Sequence, residues 1–195
     1  MTADGLAFDG KWRGAAVIAL TGTPVLETAR LRLRAPLASD WPVYRDFALS
    51  DRARYVRPPN VDAERAWRMF AGMIGHWLLR GWGSFVFTLK TDDRPLGMVG
   101  PWFPESWPER EILWMVWDST AEGRGYAAEA VGATLDHAFG SLGWDTAVSY
   151  IDPANAGSIR LAGRLGARLD PDASASKLAE SPVLLVYRHP PRPHA

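Results

Sequence analysis

Apolar and polar residues alternate with the periods of strands and helices along most of the chain. The segment Leu26 to Arg34 ends in alternating Leu and Arg, which predicts a half-buried strand. Its leucines, Leu31 and Leu33, would face the core. Its arginines, Arg32 and Arg34, would face solvent.

The same periods and their capping residues predict the remaining elements. In chain order these are a helix opened by Ser39 or Asp40 with Pro42 in its first turn, a helix from Asp62 to Gly81, strands at Phe85 to Lys90 and Leu96 to Trp102 joined by the turn Thr91 to Pro95, a strand at Ile112 to Trp117, a helix from Tyr126 to Phe139, a strand at Thr146 to Ile151, a short helix from Asn155 to Gly166, and a strand at Val183 to Arg188. Helices mixed with strands, without a repeat, predict one α/β domain.

The ends of the chain differ from this pattern. We expect an N-terminal extension at residues 1–22, a single domain at 23–189 and a Pro-rich tail at 190–195, with a polar loop or hairpin at 170–181. Gly14 to Leu20 is apolar but far too short to span a membrane, and no clean cleavage pattern follows it. The sequence therefore predicts a cytoplasmic protein without a membrane partner.

Composition limits the chemistry. The 195 residues carry 22 basic and 22 acidic side chains, so no nucleic-acid partner is expected. There is no cysteine, which excludes disulfides, thiolate catalysis and cysteine-based metal sites. The four histidines, His76, His137, His189 and His194, show no metal spacing, and no metal is predicted. We expect His137 at a surface or rim, and His189 and His194 in an extended tail.

The segment Glu111 to Glu129 carries the strongest functional signal. It predicts a strand, a turn, a glycine-rich loop in which Gly123 and Gly125 bracket Arg124, and the start of a helix. Glycines let the backbone approach a ligand closely, and a helix N-terminus offers unpaired N–H groups and a positive dipole end. Together they predict a phosphate site.

Several kinds of site could use such a loop. The Walker pattern requires Lys and then Ser or Thr where Tyr126 and Ala127 stand. The dinucleotide fingerprint fits only in its looser variant, with Ala128 as the third small residue, and this loop comes later in the chain than is usual for that fold. A tight strand-to-helix turn without a ligand is the third alternative.

A second segment narrows the choice. Asp152 and Pro153 end a strand, and a short helix with Asn155 and Ser158 near its start follows. Together with the glycine loop and the segment LETARLRLR, this order resembles the GNAT superfamily of N-acetyltransferases. The layout is similar to the RimJ/RimL-like branch, which acetylates the N-termini of ribosomal proteins. The resemblance covers about residues 24 to 188.

The resemblance implies a fold, a donor and a set of binding residues. The fold would be α/β (α+β), with a mixed, mostly antiparallel twisted sheet flanked by helices and a splayed central strand pair at the cofactor site. Acetyl-CoA would be the acyl donor, no metal would be needed, and the protein could form a homodimer. The implied cofactor-binding positions are Met115, Val116, Trp117, Glu122, Gly123, Arg124, Gly125, Tyr126, Ala127, Asn155 and Ser158.

Two positions depart from the family pattern. Glu122 stands where the family has Gln or Arg, and a carboxylate pointing inward would repel a pyrophosphate. We expect it to face solvent and Arg124 to supply positive charge. Ala162, seven residues after Asn155, stands where many members have the Tyr that reprotonates CoA thiolate. The resemblance then implies Ser158 as the acid, or as a hydrogen-bond donor to the sulfur or pantetheine.

Transfer to an amine also requires a base, because a free alkyl amine is mostly protonated at neutral pH. Glu111, eleven residues before the first loop position, is the candidate. Glu109 and Glu105 in the upstream turn are the rivals, and strand alternation would put Glu109 on the same face as Glu111. Glu111 could equally be an ordinary strand-end carboxylate that pairs with an Arg.

The acceptor is defined least. Four of the ten tryptophans cluster near the expected site, and two more lie on or just after the second helix; these are Trp102, Trp107, Trp114 and Trp117, then Trp77 and Trp82. They could line an acceptor pocket or fill core and interface. Three functions stay open: an N-acetyltransferase acting on a protein N-terminus or a small-molecule amine, an inactive CoA-binding module, or a binder of another nucleotide or phosphate.

Overall fold

The computed structural model describes residues 20–173 and 184–191. Its strands and longer helices follow the chain as β1 Leu26–Glu27, β2 Leu31–Arg34, α1 Trp41–Ala48, α2 Ala63–Arg80, β3 Phe85–Leu89, β4 Asp92–Trp102, β5 Glu111–Val116, α3 Tyr126–Asp136, β6 Ala147–Ile151, α4 Ala156–Arg164, β7 Arg168–Leu169 and β8 Leu185–His189. The eight strands form one sheet in the order β1-β2-β3-β4-β5-β6-β8-β7. The mixed, mostly antiparallel sheet flanked by helices confirms the predicted fold class.

The helices cover the two faces of the sheet separately. On one face, Leu113 and Met115 of β5 pack with α1 and α2, around Tyr44 and Phe70. On the other face, Ile112 of β5 lies in a core with α3. Because side chains alternate along a strand, the two faces of β5 carry different groups, and this alternation decides which groups can meet at the site.

The central strands diverge. β4 and β5 pair antiparallel along the whole of β5, from Trp102 opposite Glu111 to Gly97 opposite Val116. β5 and β6 run parallel, and within the described residues their register contains the single pair Glu111–Val148, at the beginning of both strands. Past that pair the described residues show no further backbone pairing of the two strands, and the Ser149 hydroxyl donates to the Ile112 carbonyl at 2.6 Å. This agrees with the predicted splayed strand pair.

Capping residues determine the helix ends where the sequence predicts them. α1 begins after Asp40 with Pro42 in its first turn. The Asp62 carboxylate accepts a hydrogen bond from the backbone N–H of Arg65 and caps α2, which ends at Gly81 with a φ of 77°. Side chains that accept from the first turn and glycines in the left-handed region are standard helix start and stop signals.

The first predicted strand is wrong in two respects. A turn at residues 28–30 splits it into β1 and β2, because the Glu129 carboxylate on α3 accepts hydrogen bonds from Thr28 Oγ1 (2.5 Å) and from the backbone N–H of Arg30 (2.9 Å). Arg34 does not face solvent. It is buried, and its guanidinium donates two hydrogen bonds of 2.8 Å to the Asp40 carboxylate.

Other corrections concern strand ends and histidines. β4 begins at Asp92, inside the predicted turn, so the connection to β3 is shorter than expected. His137 is buried rather than at a rim, because α3 continues into a π-helical turn that packs its ring 5.5 Å from that of Phe85. His189 is a buried residue of β8, and its Nε2 lies 2.9 Å from Ser149 Oγ.

The predicted extension at residues 1–22 and the loop at residues 170–181 fall largely outside the described residues. Across 20–173 and 184–191, none of the helices combines the length and the apolar composition that crossing a membrane requires.

Candidate active site

Glu111 lies at the point where β5 and β6 begin to diverge. It is directly opposite Trp102 on β4 and pairs with Val148 on β6. It shares a face of β5 with Leu113 and Met115, so its side chain is on the α1 and α2 side of the sheet. The residue as a whole is 7% exposed.

The surroundings of Glu111 shift the pKa of its carboxyl group towards neutral pH. Burial raises its pKa from 4.5 to about 7, although hydrogen bonds from the Trp107 indole and the Tyr150 backbone N–H act in the opposite direction. The Trp107 Nε1–H donates to Glu111 Oε2 at 2.7 Å. A carboxyl group with this pKa can take a proton and release it again in the same pH range.

Tyr150 is the neighbour that the sequence analysis missed. Its ring lies edge-on to Trp107 at 6.3 Å, and its buried hydroxyl group lies beside the backbone of Glu109. Burial and the negative charges of Glu109 and Glu111 raise the pKa of Tyr150, so its hydroxyl stays protonated. No local sequence signal marks it, because it lies on β6 and meets the site only through the fold.

Of the two rival carboxylates, Glu109 is paired and Glu105 is exposed to solvent. Glu109 accepts two hydrogen bonds from the Arg188 guanidinium, at 2.8 and 3.1 Å. Glu105 is fully open to solvent, with its side chain 97% exposed, and lies 4.0 Å from Arg80. Glu111 is therefore the best candidate for a base among the three.

The glycine loop has the geometry expected of an anion site. Gly123 and Gly125 have φ angles of 71° and 78°, the left-handed region that glycine adopts without strain. α3 begins directly after Gly125, so its first N–H groups, which have no acceptor within the helix, face the loop. Arg124 is exposed, and its backbone carbonyl accepts a hydrogen bond of 3.1 Å from Arg30 Nη1.

Arg30 braces this loop from the turn between β1 and β2. Its Nε donates to Glu129 at 2.6 Å in the first turn of α3, and its guanidinium lies 4.5 Å above the Tyr126 ring. Tyr126 and the following Ala127 are half-buried at the start of α3. The characteristic segment LETARLRLR therefore has a structural role here, since it fixes the N-terminus of the helix behind the loop.

The predicted pantetheine-binding positions on and after β5 differ in which of their groups are accessible to a ligand. The side chains of Met115 and Trp117 are buried against α1 and α2, which leaves only their backbone for a ligand. The N–H of Trp117 is already bonded to Leu96 of β4 at 2.8 Å. The carbonyls of Val116 and Trp117 accept hydrogen bonds from Arg52, at 3.0 and 2.7 Å.

Glu122 is exposed, as expected, but its carboxylate is paired. Arg52, on the short turn of 3₁₀ helix Asp51–Ala53, donates to it from Nε at 3.0 Å and from Nη2. Arg52 is a second residue that the sequence analysis missed. Its contacts to Val116, Trp117 and Glu122 join the end of β5 to the first position of the glycine loop.

Asn155 and Ser158 occupy the expected place at the start of α4. Asn155 Oδ1 accepts from the Ser158 backbone N–H at 3.1 Å and caps the helix. Ser158 Oγ accepts a hydrogen bond of 2.9 Å from Trp114 Nε1. Trp114 lies on the opposite face of β5 from Glu111, so Glu111 and Ser158 approach the gap between β5 and β6 from its two sides.

A cavity of about 550 Å³ opens beside Trp102, on the same face of the sheet as Glu111. Its walls include Met69, Met73 and Leu79, and Arg80 and Glu105 stand at the rim. The Trp102 ring stacks on His76 at 4.8 Å. An apolar cavity with few polar groups is the usual form of a small-molecule or side-chain pocket.

The aromatic residues divide between core and site. Trp102 and Trp107 contact the candidate site, whereas Trp77 is buried in the core and donates to the Ser84 carbonyl at 3.0 Å. Trp82 packs on Trp144 with the ring centres 5.1 Å apart. Within the described residues there is no group of three or more His, Cys, Asp or Glu side chains that could hold a metal.

Solved acetyltransferases share this fold. An acetyltransferase from Agrobacterium tumefaciens strain C58 is 36% identical, with 90% of this chain and 99% of that chain covered and a TM-score of 0.79. A GnaT-family acetyltransferase from Bordetella pertussis is 26% identical, with 86% and 99% covered and a TM-score of 0.68.

RimL, a ribosomal L7/L12 alpha-N-protein acetyltransferase in complex with coenzyme A, is similar in fold alone. It is 16% identical over 85% of this chain and 97% of that chain, with a TM-score of 0.67. The sequence profile of the acetyltransferase (GNAT) domain matches residues 30–168, which is well over half of the chain and includes the glycine loop and Asn155. The protein therefore belongs to the GNAT acetyltransferase family, as the sequence predicts.

Proposed function

We propose that this acetyltransferase moves the acetyl group of acetyl-CoA to a primary amine by direct attack on the thioester, with Glu111 as the general base. The observation that carries the proposal is the buried Glu111 carboxyl group, with a pKa raised to about 7, at the origin of the gap between β5 and β6. A surface carboxylate with an ordinary pKa would be a much weaker base at neutral pH.

Starting from the ammonium form, the chemistry requires two protons to leave the nitrogen and one to reach the sulfur. Ionised Glu111 takes the first proton from the ammonium form, and the neutral nitrogen forms a bond to the acetyl carbon. The carbon–sulfur bond then breaks, the nitrogen loses its second proton to become the amide, and the thiolate gains a proton, so that one proton is released to solvent overall. A positioned base contributes about 10²–10⁴-fold to the rate of such a step. The buried position keeps bulk water away from the carboxylate.

On the donor side, the left-handed Gly123 and Gly125 and the N-terminus of α3 fit the pyrophosphate of acetyl-CoA. Ser158 fits the sulfur end. Its Oγ accepts from Trp114, and no acceptor for the Ser158 hydroxyl hydrogen is found in the described part of the chain. The Ser158 hydroxyl can donate this hydrogen to the departing thiolate and so stabilise the negative charge on sulfur. Ala162, which stands where many relatives have Tyr, has no phenol to do so.

The acceptor would enter through the cavity beside Trp102, because Trp102 is the cross-strand neighbour of Glu111. Both a protein N-terminus and a small-molecule amine can present a primary amine with an apolar neighbour to these walls. The likeness to RimL supports a peptide amine. A cytoplasmic location and a homodimer stay predictions.

A second candidate is a CoA-binding module of the same fold with little or no activity. Two observations favour it: Glu122 stands at the first loop position, and Ala162 replaces the phenol of many relatives. The buried Glu111 carboxyl group favours the active enzyme instead, because a pKa of about 7 suits a general base at neutral pH.

Release of thiol from acetyl-CoA, measured with a panel of amines, tests the proposal. The panel would contain short peptides with free N-termini, simple monoamines, a polyamine and an aminoglycoside, and mass spectrometry would locate the acetyl group on the product. Amine-dependent thiol release supports the N-acetyltransferase. Acetyl-CoA binding by calorimetry without release for any amine supports the inactive module, and no binding contradicts both.

A further inference from the structure

We infer that Arg52 neutralises Glu122 at the first position of the glycine loop, so that the affinity for acetyl-CoA follows the net charge of the Arg52–Glu122 pair. The inference rests on the proposed function, because it assumes that the loop holds the pyrophosphate. The family pattern has Gln or Arg at this position. Here the positive charge comes instead from a residue 70 positions earlier in the chain.

The contacts of Arg52 show that its place is fixed. Its guanidinium donates to the Glu122 carboxylate from two nitrogens and to the carbonyls of Val116 and Trp117. It also lies 5.5 Å from the ring of Phe47, a buried residue of α1. The adjacent Ala53 is fully buried, which anchors the backbone of the turn. A cation held by this many groups is positioned before a ligand arrives.

The location of the pair determines its effect on a phosphate. Glu122 is next to Gly123, the first of the two left-handed glycines, and about half of its side chain is exposed. Unpaired, its negative charge would repel a pyrophosphate at the loop. With Arg52 attached, the pair has no net charge, and the N-terminus of α3 and the exposed Arg124 determine the local potential.

Three variants separate neutralisation from other roles of Arg52. Arg52→Met leaves the pair with a charge of −1, Glu122→Gln leaves it with +1, and the double variant restores 0. We expect acetyl-CoA affinity, measured by calorimetry, to fall about tenfold in Arg52→Met, to rise a few-fold in Glu122→Gln, and to return to within about threefold of wild type in the double variant.

Arg45→Met is the matched control, because it removes one arginine from α1 that pairs with the adjacent Asp46. Its affinity for acetyl-CoA should equal that of the wild type. Recovery in the double variant is the decisive result, since a purely structural role of the hydrogen bonds to Val116 and Trp117 would leave the double variant as weak as Arg52→Met. A double variant that binds acetyl-CoA as weakly as Arg52→Met would overturn the inference.

Two further measurements keep the inference falsifiable. If Arg52→Met does not fold, as judged by circular dichroism, Glu122→Gln alone decides, and unchanged or weaker binding overturns the inference. Acetyl-dephospho-CoA, which keeps the pyrophosphate but lacks the 3′-phosphate, should give the same order of affinities. If the order disappears, the pair does not act on the pyrophosphate.

Failure of this inference can be told apart from failure of the proposed function. A wild-type protein that does not bind acetyl-CoA contradicts both. A wild-type protein that binds and transfers acetyl groups, with affinities that ignore the charge of the pair, contradicts the role of Arg52 alone.

Discussion

Replacing Glu111 by Gln should make the protein more stable and much less active. The carboxyl group has a pKa of about 7 in the fold against 4.5 in a free chain. Between these values the folded protein holds a proton that the unfolded chain has lost, so stability falls as the pH rises from about 4.5 to about 7. At about 1.4 kcal/mol for each pH unit, the charged group costs about 3 kcal/mol above pH 7.

The uncharged amide of Glu111→Gln avoids that cost. The variant should therefore unfold at a higher temperature than the wild type at pH 8, by about 6–12 °C for a chain of this size. The value is a ceiling, because only the amide oxygen can accept from Trp107, and the NH₂ group cannot accept from the Tyr150 backbone. Well below pH 4.5, where the wild-type carboxyl group is protonated too, the difference should vanish.

Activity should change in the opposite direction. The wild-type rate should rise through about pH 7 as Glu111 ionises, and Glu111→Gln should lose about 10²–10⁴-fold at neutral pH. The loss should shrink as the pH rises, because more of the amine then arrives deprotonated. Acetyl-CoA affinity should barely change, since Glu111 lies away from the glycine loop.

Glu109→Gln is the matched control. Glu109 is paired with Arg188 and less buried, so its loss should not stabilise the protein at pH 8. If Glu111→Gln keeps the wild-type pH–rate profile, Glu111 is not the base. If its melting temperature at pH 8 does not exceed that of the wild type, the carboxylate is not buried as the structure has it.

Three further variants test other parts of the structure. Ser158→Ala should lower turnover about tenfold with little change in acetyl-CoA affinity, because a donor to the leaving thiolate acts on the transition state; unchanged turnover would make Ser158 a packing residue. Gly125→Ala should weaken acetyl-CoA binding far more than Gly143→Ala, although both glycines have left-handed φ angles of 78° and 63° and so incur similar strain; equal affinities would contradict the phosphate loop. Arg34→Met should destabilise the fold by about 3–5 kcal/mol in denaturant unfolding, because it leaves the buried Asp40 unpaired, whereas Arg45→Met should change it by less than about 0.5 kcal/mol.

The elements that the sequence predicts correctly depend on signals within a few residues. Asp62 and Gly81 determine the ends of α2 through one side-chain hydrogen bond and one left-handed residue. The alternation of Leu and Arg predicts an exposed Arg34, because this pattern takes no account of a carboxylate that could pair with the guanidinium. Asp40, six residues further on, captures its guanidinium and makes burial favourable. The split of β1 from β2 depends on Glu129, 101 residues from Thr28, which no local pattern reveals.

The residues of the candidate site also fall into two groups, those that local sequence signals predict and those that only the fold brings together. The glycine loop, Glu111 and Asn155 are contiguous with recognisable strand and helix ends, so a resemblance of motifs could identify them. Their use in binding and catalysis stays a prediction that the variants test. Arg52 and Tyr150 reach the site only because α1 packs on the sheet and β6 pairs with β5, and neither lies in a motif. Their partners are distant in sequence, which is why residue spacing could not predict them.

Salt should affect Glu122 and leave Glu111 unchanged, which separates the donor end of the site from the chemical step. Glu122 and Arg52 are partly exposed beside a loop that faces solvent, so ions screen the local potential, whose range is about 10 Å at 0.1 M salt. Raising salt should therefore weaken acetyl-CoA binding. Glu111 is buried and its pKa is set by desolvation, which salt does not screen. The midpoint of the kcat–pH profile should then stay near 7 between low and high salt. A midpoint that moves by a full pH unit would mean that Glu111 titrates in contact with solvent, and the buried base would have to be abandoned.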